Sequence, residues 1–338
     1  MLRDQDLIVV TPEGLYCPPG GFHLDPWRKV SRALISHAHS DHARPGSGAY
    51  LLAASGQAVA RERIGQSAAI ETLSWGEPKV VNGVEVSFHP AGHLLGSAQI
   101  RISYRGQIWV YTGDFKRTPD PSCESFEPVP CHTLITESTF GLPIYTWPDP
   151  SAVFESIHQW WADNQRHQRT SIIFAYALGK AQRLLAGLNS NLGPIGVHGS
   201  VARFLPHYEN AGYPLAPALR VTQENQTSFV GKGLIIAPGS TAGSPWLRKF
   251  GESSLAFASG WVLVRGNRRQ RALDRGFVLS DHADWPDLLQ TVRDTGASRV
   301  LPTHGYTVPF SRYLREQGID AEPLETPFSG EEGEVEEE

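Results

Sequence analysis

Two rhythms of hydrophobic and polar positions divide this chain. Through roughly the first 140 residues, short β-branched and apolar runs end in Gly, Pro, Asp or His clusters, the pattern of strands closed by turns. Leu7–Val10, Ala33–Ser36, Val84–Phe88, Gln99–Tyr104, Ile108–Thr112 and Thr133–Thr136 read as strands. Ser55–Ile64 reads as a helix, its apolar positions interrupted by Arg61, Glu62 and Arg63. From Pro148 to about Gly260 strands and helices alternate. A helix is predicted over Ala152–Trp161, a strand over Ser171–Tyr176 and a helix over Gly179–Leu188. Gly196–Val197 then leads into a helix over Val201–Glu209, and the strand Leu234–Ala237 ends in Pro238-Gly239-Ser240. Such alternation predicts a parallel sheet. From about Gly276 the first style returns, with Phe277–Ser280, His282, a helix over Trp285–Thr295, Val300–Pro302 and His304.

The simplest organisation is therefore one domain holding another as an insert. Residues 1–147 and 263–325 form the outer domain, 148–262 the insert, and 326–338 a disordered acidic tail. The tail carries like charges and no core-forming pattern. It also distorts the charge balance. The whole chain has a formal charge of −5, but eight acids and no Lys or Arg lie in residues 322–338, so the body carries +3. A nucleic-acid ligand is compatible with that charge, whereas a strongly basic DNA-coating protein is excluded.

Cys17, Cys123 and Cys131 are odd in number and show no C-x-x-C spacing, which argues against a disulfide framework. Met1–Val10 lacks the apolar core of a secretory signal, and no apolar run approaches the ~18 residues of a membrane helix. The expectation is a soluble cytoplasmic protein without a membrane partner.

The densest chemistry lies in His37-Ala38-His39-Ser40-Asp41-His42. Side chains two apart in extended backbone point the same way, so His37 and His39 can face one metal from the end of a strand. Asp41 and His42 follow where the chain turns and can face a second. Imidazole and carboxylate donors suit Zn²⁺, with Mn²⁺ and Fe²⁺ less specifically selected. His93 lies between glycines in Ala91-Gly92-His93-Leu94-Leu95-Gly96, and Asp114 follows a strand in Thr112-Gly113-Asp114-Phe115. Alone, a hydrogen-bonded loop explains His93 and a capped turn explains Asp114. Beside the six-residue run, both become ligand candidates.

This set resembles the metallo-β-lactamase superfamily, where H-x-H-x-D-H, a later His and a later Asp bind two metals. Asp25, in His23-Leu24-Asp25-Pro26-Trp27, matches the family's early aspartate, which supports ligands from behind. The superfamily's di-iron redox branch has Glu where this chain has His39, so the resemblance favours a hydrolytic centre. Three later positions narrow it further. Glu137 in Thr136-Glu137-Ser138-Thr139, His282 in Ser280-Asp281-His282-Ala283-Asp284 and His304 in Pro302-Thr303-His304-Gly305 look like motifs A, B and C of the β-CASP nucleases, with the insert between A and B. Gly113–Pro121, Tyr176–Arg183 and Gly276–Trp285 look like the bacterial DNA-ligase-associated exonuclease subfamily.

The resemblance implies an αββα sandwich, of the α/β (α+β) class, with an inserted α/β domain. It implies one metal on His37, His39 and His93, a second on Asp41, His42 and His304, and Asp114 bridging them. Two divalent ions, Zn²⁺ or Mn²⁺, would activate a hydroxide for attack on phosphorus. His282 would protonate the departing sugar oxygen and Glu137 would orient it. Asp41 thus counts among both metal and catalytic positions. The expected activity is that of a DNA exonuclease in repair, working with a DNA ligase and a helicase encoded nearby. A ribonuclease is the alternative, because His at motif C is more typical of RNA enzymes. A small-molecule hydrolase is disfavoured by the insert and by Glu137, His282 and His304. A non-catalytic binding homologue is disfavoured because every ligand position is filled.

Substrate contacts are harder to read from sequence. Arg265, Arg268, Arg269, Arg271 and Arg275 form a basic stretch that suits a phosphate backbone, and equally suits a solvated loop. Lys180 opens a helix whose N-terminus could receive a phosphate, or simply marks an ordinary βα turn. Trp75, Trp109, Trp147 and Trp246 could stack on bases or pack in cores.

Overall fold

The computed structural model describes residues 6–264 and 273–326. They fall into two compact units, divided at Ile144/Tyr145 and at Asp281/His282.

The first unit contains two sheets. One runs in chain order through Val9–Thr11, Gly14–Cys17, Phe22–Leu24, Arg32–Leu34, Ala49–Ala53 and Ile70–Leu73. The other places Asp320–Ala321 and Arg299–Gly305 beside Thr133–Ser138, followed by Gln107–Tyr111, Ala98–Tyr104, Val84–Pro90 and Lys79–Val81. From Lys79 to Tyr111 this second sheet is an antiparallel meander; beyond it the pairing turns parallel.

Alternation along the strands explains the layers. Trp109, Tyr111, Ile135 and Leu301 join Leu24, Leu34 and Leu51 of the first sheet in a core between the sheets. Their neighbours Val110, Leu134 and Val300 point the other way, against Leu288, Val292, Phe310 and Leu314 of the helices Trp285–Thr295 and Thr307–Glu316. Thr133–Ser138 is consequently buried at every position, as a strand covered on both faces must be. Asp284 caps the helix Trp285–Thr295 by accepting from the Asp287 N–H, and Gly296 ends it in the left-handed region.

The second unit is built on a parallel six-stranded sheet. Its order is Leu219–Arg220, Ile195–Val197, Leu234–Ala237, Thr170–Phe174, Ser253–Ala258 and Arg275–Phe277. Ile173 and Ile236 bury one face, Ile172, Phe174 and Ile235 the other. The helix expected over Val201–Glu209 is two, Gly199–Ala202 and Leu205–Asn210, with Pro206 in the first turn of the second. Proline fits a first turn but interrupts a continuing helix. The return boundary expected at 262/263 falls at 281/282, because Arg275–Phe277 pairs with Ser253–Ala258 and completes this sheet. The acidic residues 327–338 lie outside the described residues. Among the described residues, no helix is long and apolar enough to cross a membrane.

Candidate metal centre

The histidines gather where strands of the first unit stop. Arg32–Leu34 ends just before the His37–His42 run, Val84–Pro90 just before His93, Gln107–Tyr111 just before Asp114, and Arg299–Gly305 carries His304 at its end. Loops leaving a rigid sheet can hold side chains that the strands themselves cannot converge.

Asp114 Oδ2 sits among the rings. It lies 3.5 Å from His37 Nε2, 3.6 Å from His42 Nε2 and 3.8 Å from His93 Nε2. His39 Nδ1 is 3.2 Å from His93 Nε2. One ligand atom from each of His37, His39, His93 and Asp114 falls within 4.8 Å of the others, and all four residues are buried. A second, looser set adjoins it. Asp41 Oδ2 is 3.4 Å from His42 Nε2, and the rings of His42 and His304 are 5.7 Å apart.

Behind these atoms is a frame that points them inward. Asp25 is buried and accepts from the Ser36 N–H at 2.7 Å, the Ser36 hydroxyl at 2.5 Å and the Tyr111 hydroxyl at 2.9 Å, and its Oδ2 lies 2.7 Å from His42 Nδ1. That contact leaves His42 Nε2 facing Asp41 and Asp114. Ser36 Oγ likewise meets His37 Nδ1 at 3.0 Å, leaving His37 Nε2 inward.

His37 Nε2 is buried without a hydrogen-bond partner. An orphaned imidazole nitrogen facing a carboxylate is costly unless a cation takes its lone pair. Together with an all-nitrogen-and-oxygen donor set, this fits a divalent metal of the Zn²⁺ or Mn²⁺ kind.

Protonation agrees. Burial, then His42, His93 and His39, hold His37 well below the usual imidazole range, so its ring is neutral. Burial and the neighbouring His42 push His304 down to about 4 against the pull of Asp41, Glu137 and Asp25. His42 is the exception. Burial disfavours its charge, but Asp41, Asp114 and Asp25 prevail and raise it to about 10. Burial is also the largest influence on Asp114; His42 and His282 oppose it, Glu137 and Asp41 reinforce it, and the carboxyl is pushed up to about 7.

Beside the cluster stands a second pair. His282 Nδ1 lies 3.0 Å from Glu137 Oε2, and the Phe115 N–H donates to Glu137 Oε1 at 2.7 Å. Glu137 is buried, which opposes ionisation, yet His282 and these hydrogen bonds hold it below the ordinary glutamate range. The rings of His282 and His93 are 4.8 Å apart. The arrangement is an anionic anchor on one imidazole nitrogen.

Gly92 makes room for this. Its φ is +74°, and a Cβ there would stand 2.2 Å from the Lys116 carbonyl oxygen. Overlap with backbone cannot be relieved by a rotamer change. Gly92→Ala is expected to cost about 3 kcal/mol or more, read as a lower denaturation midpoint. An unchanged midpoint would show that the Ala91–Ser97 loop is not fixed by this contact.

The expected substrate contacts fare differently. Lys180 is buried, and its Nζ lies 3.1 Å from Asp281 Oδ1, so its charge is turned inward. Arg183 beside it donates to the Ser280 carbonyl. Arg265, Arg268, Arg269 and Arg271 lie outside the described residues. Arg275 is exposed and donates to Ser156 Oγ at 3.1 Å. Trp109 is a core residue. Sequence reading missed Ser36 and Tyr111, the two hydroxyls on Asp25. Neither stands in a recognisable motif, and only the sheet pairing brings them to it.

No protein-family profile matches the chain. A probable DNA ligase of Opitutus terrae is 32% identical over 311 residues, 91% of this chain and 30% of that protein. Cleavage and polyadenylation specificity factor 73 of Drosophila melanogaster is 39% identical over 119 residues, 34% of this chain and 17% of that one. An RNase J-like protein of Methanocaldococcus jannaschii is 27% identical over 175 residues, 48% of this chain and 41% of that one. The chain therefore spans less than half the length of each. A solved structure of a protein of unknown function from Enterococcus faecalis matches with a TM-score of 0.60 over 87% of this chain and 79% of that one, at 11% identity, and speaks for the fold alone. Paired sheets whose ends bear His37–His42, His93 and Asp114, the insert after Glu137, and kinship over nine-tenths of the sequence converge on one conclusion: the chain belongs to the β-CASP group of the metallo-β-lactamase superfamily.

Proposed function

We propose that this chain is a metal-dependent phosphodiesterase that degrades DNA from its ends during repair. The observation that carries the reading is the meeting of His37, His42 and His93 nitrogens around a single Asp114 oxygen, at 3.5–3.8 Å. A carboxylate so placed is suited to be shared between two ligand sets. His37, His39 and His93 would form one set; Asp41, His42 and His304 would form the other. Divalent ions held there would supply Lewis-acid polarisation of the phosphodiester and would lower the pKa of a water.

The rest falls to the chain's own side chains. Asp25 keeps His42 in register. Glu137 fixes the His282 ring through Nδ1, so that Nε2 delivers a proton to the departing sugar oxygen. Burial of the pair excludes water that would compete for that proton. The DNA assignment is supported by the Opitutus relative, whose name is that of a ligase and which contains a segment like nearly all of this chain. That fusion also supports a working partnership with a DNA ligase, one enzyme trimming ends that the other seals. A helicase encoded nearby would supply single strands. RNA is the second reading, favoured by the names of the Drosophila and Methanocaldococcus relatives over shorter stretches. End-labelled single-stranded and duplex DNA, set against RNA of the same sequence with Zn²⁺ or Mn²⁺, decides between them. Faster loss of label from DNA ends supports the proposal; preferential RNA cleavage replaces it.

Metal uptake carries its own signature. Asp41, Asp114 and Asp25 raise His42 to about 10, against burial, and ligation needs its Nε2 lone pair. Binding at about pH 7.5 is expected to release at least one proton per chain, and affinity is expected to weaken as pH falls. Calorimetry in two buffers of different ionisation enthalpy measures this. Uptake without proton release would remove His42 from the ligand set.

A further inference from the structure

We propose that the carboxyl edge of the second unit's parallel sheet binds a nucleic-acid phosphodiester backbone through Arg220, His198 and Lys249, the last two in contact with Trp246. The proposal rests on the nucleic-acid reading above and adds a contact surface to it.

Topology brings these residues together. All six strands run the same way, so their C-terminal ends share one edge, the place where open parallel sheets receive ligands. Val197 pairs with Arg220, and His198, the next residue, donates its N–H to the Ile236 carbonyl at 2.9 Å. The strand Leu234–Ala237 then passes through Pro238 towards Trp246. His198 meets the Trp246 ring edge-on, with centroids 4.9 Å apart at 81°. Lys249 Nζ stands 4.6 Å from the Trp246 centroid. A Cβ on Gly199 would be 3.6 Å from Arg220 Nε, so the guanidinium lies against the backbone that follows His198.

The charge here is uncompensated. Among the described residues, no carboxylate forms an ion pair with Arg220 or Lys249. Burial, then Lys249 and then Arg220, disfavour a proton on His198, so the three groups sense one another as like charges. Elsewhere in this unit cations find acids: Lys180 meets Asp281, Arg166 meets Asp163 and Arg169 meets Glu252. An unpaired cationic cluster at the binding edge of a parallel sheet is the complement of an anion. Trp246 holds Lys249 by a cation–π contact, which limits its rotamers and lowers the cost of ordering it on binding. Guanidinium and ammonium together suit a chain of phosphates, which offers successive charges, better than a lone phosphate.

The test uses the full chain, with chelator present so that bound strands are not cut. A 5′-labelled single strand of about twenty nucleotides, as DNA and as RNA, is titrated by fluorescence anisotropy across a salt series. The double variants Arg220→Gln/Lys249→Gln and Arg220→Glu/Lys249→Glu are compared with wild type, with circular dichroism checking each fold. Loss of two phosphate contacts should weaken binding about tenfold or more and flatten the salt slope by about 1.4. Unchanged affinity and slope in the folded glutamine variant overturns the proposal. So does equal competition by inorganic phosphate, which would make this a site for free phosphate only. Wild-type hydrolysis of bis(p-nitrophenyl) phosphate judges the nuclease reading separately. A wild type that binds strands through these residues but cleaves no diester keeps the surface and sinks the enzyme.

Discussion

His282→Ala is expected to keep its metal content and to lose turnover by about 10²–10⁴-fold, the usual contribution of a positioned general acid. The hydrogen bond between His282 Nδ1 and Glu137 Oε2 at 3.0 Å commits that nitrogen to orientation, and the proposed proton transfer runs through Nε2. A sugar hydroxyl leaves poorly without a proton, whereas p-nitrophenolate leaves readily as an anion. The loss should therefore be large on an oligonucleotide and small on a p-nitrophenyl ester of a nucleotide. Glu137→Gln should fall between, because the amide keeps the shape but offers His282 no negative charge. Metal analysis and the two substrates together decide the matter. Equal losses on both substrates, or loss of metal, would show that His282 acts on the site's structure instead.

Asp25→Ala is expected to be the most damaging substitution for stability. This carboxylate takes four contacts, from Ser36 twice, Tyr111 and His42, in a buried setting with a backbone φ of +38°. Its removal takes the partner from a buried imidazole, two hydroxyls and an N–H together. Breaking a buried charged pair costs about 3–5 kcal/mol, and loss of a metal ligand's outer support weakens metal affinity by about 10–100-fold. Tyr111→Phe removes one of the four contacts and should cost only about 1 kcal/mol. Denaturant titration and metal titration of both variants test the ordering. If Tyr111→Phe proves as damaging as Asp25→Ala, the carboxylate is not the hub.

How much of this was legible in sequence depends on range. His37–His42 reveals itself because a strand and a turn put its ligands together within six residues, and His93, Asp114 and His304 stand at strand ends that periodicity also finds. The helix Trp285–Thr295 appears at its expected bounds because Asp284, Pro286 and Gly296 punctuate it locally. What depended on pairing between distant segments did not appear. Tyr111 reaches Asp25 only once both sheets are formed, and Ser36 only once Phe22–Leu24 pairs with Arg32–Leu34. Arg275–Phe277 looked like the outer domain's return because its partner, Ser253–Ala258, gives no local sign of it. Lys180 looked available because nothing adjacent announces Asp281, 101 positions on, as its partner. Trp246 was one tryptophan among nine until the parallel edge set His198 and Lys249 around it.

The parallel ladder between Thr133–Ser138 and Arg299–Gly305 has a bearing on how the protein comes into being. Ser138 Oγ donates to the His304 carbonyl across 166 positions, and Glu137 meets His282 across 145. Ribosomes deliver residues in order, so the amino-terminal meander can form long before its last neighbour exists. Every nascent chain that ends between His93 and His304 holds several of the imidazoles and no complete closing strand. Under the function proposed above, the site would stay incomplete, and the messenger beside it uncut, until the strand that carries His304 has been made.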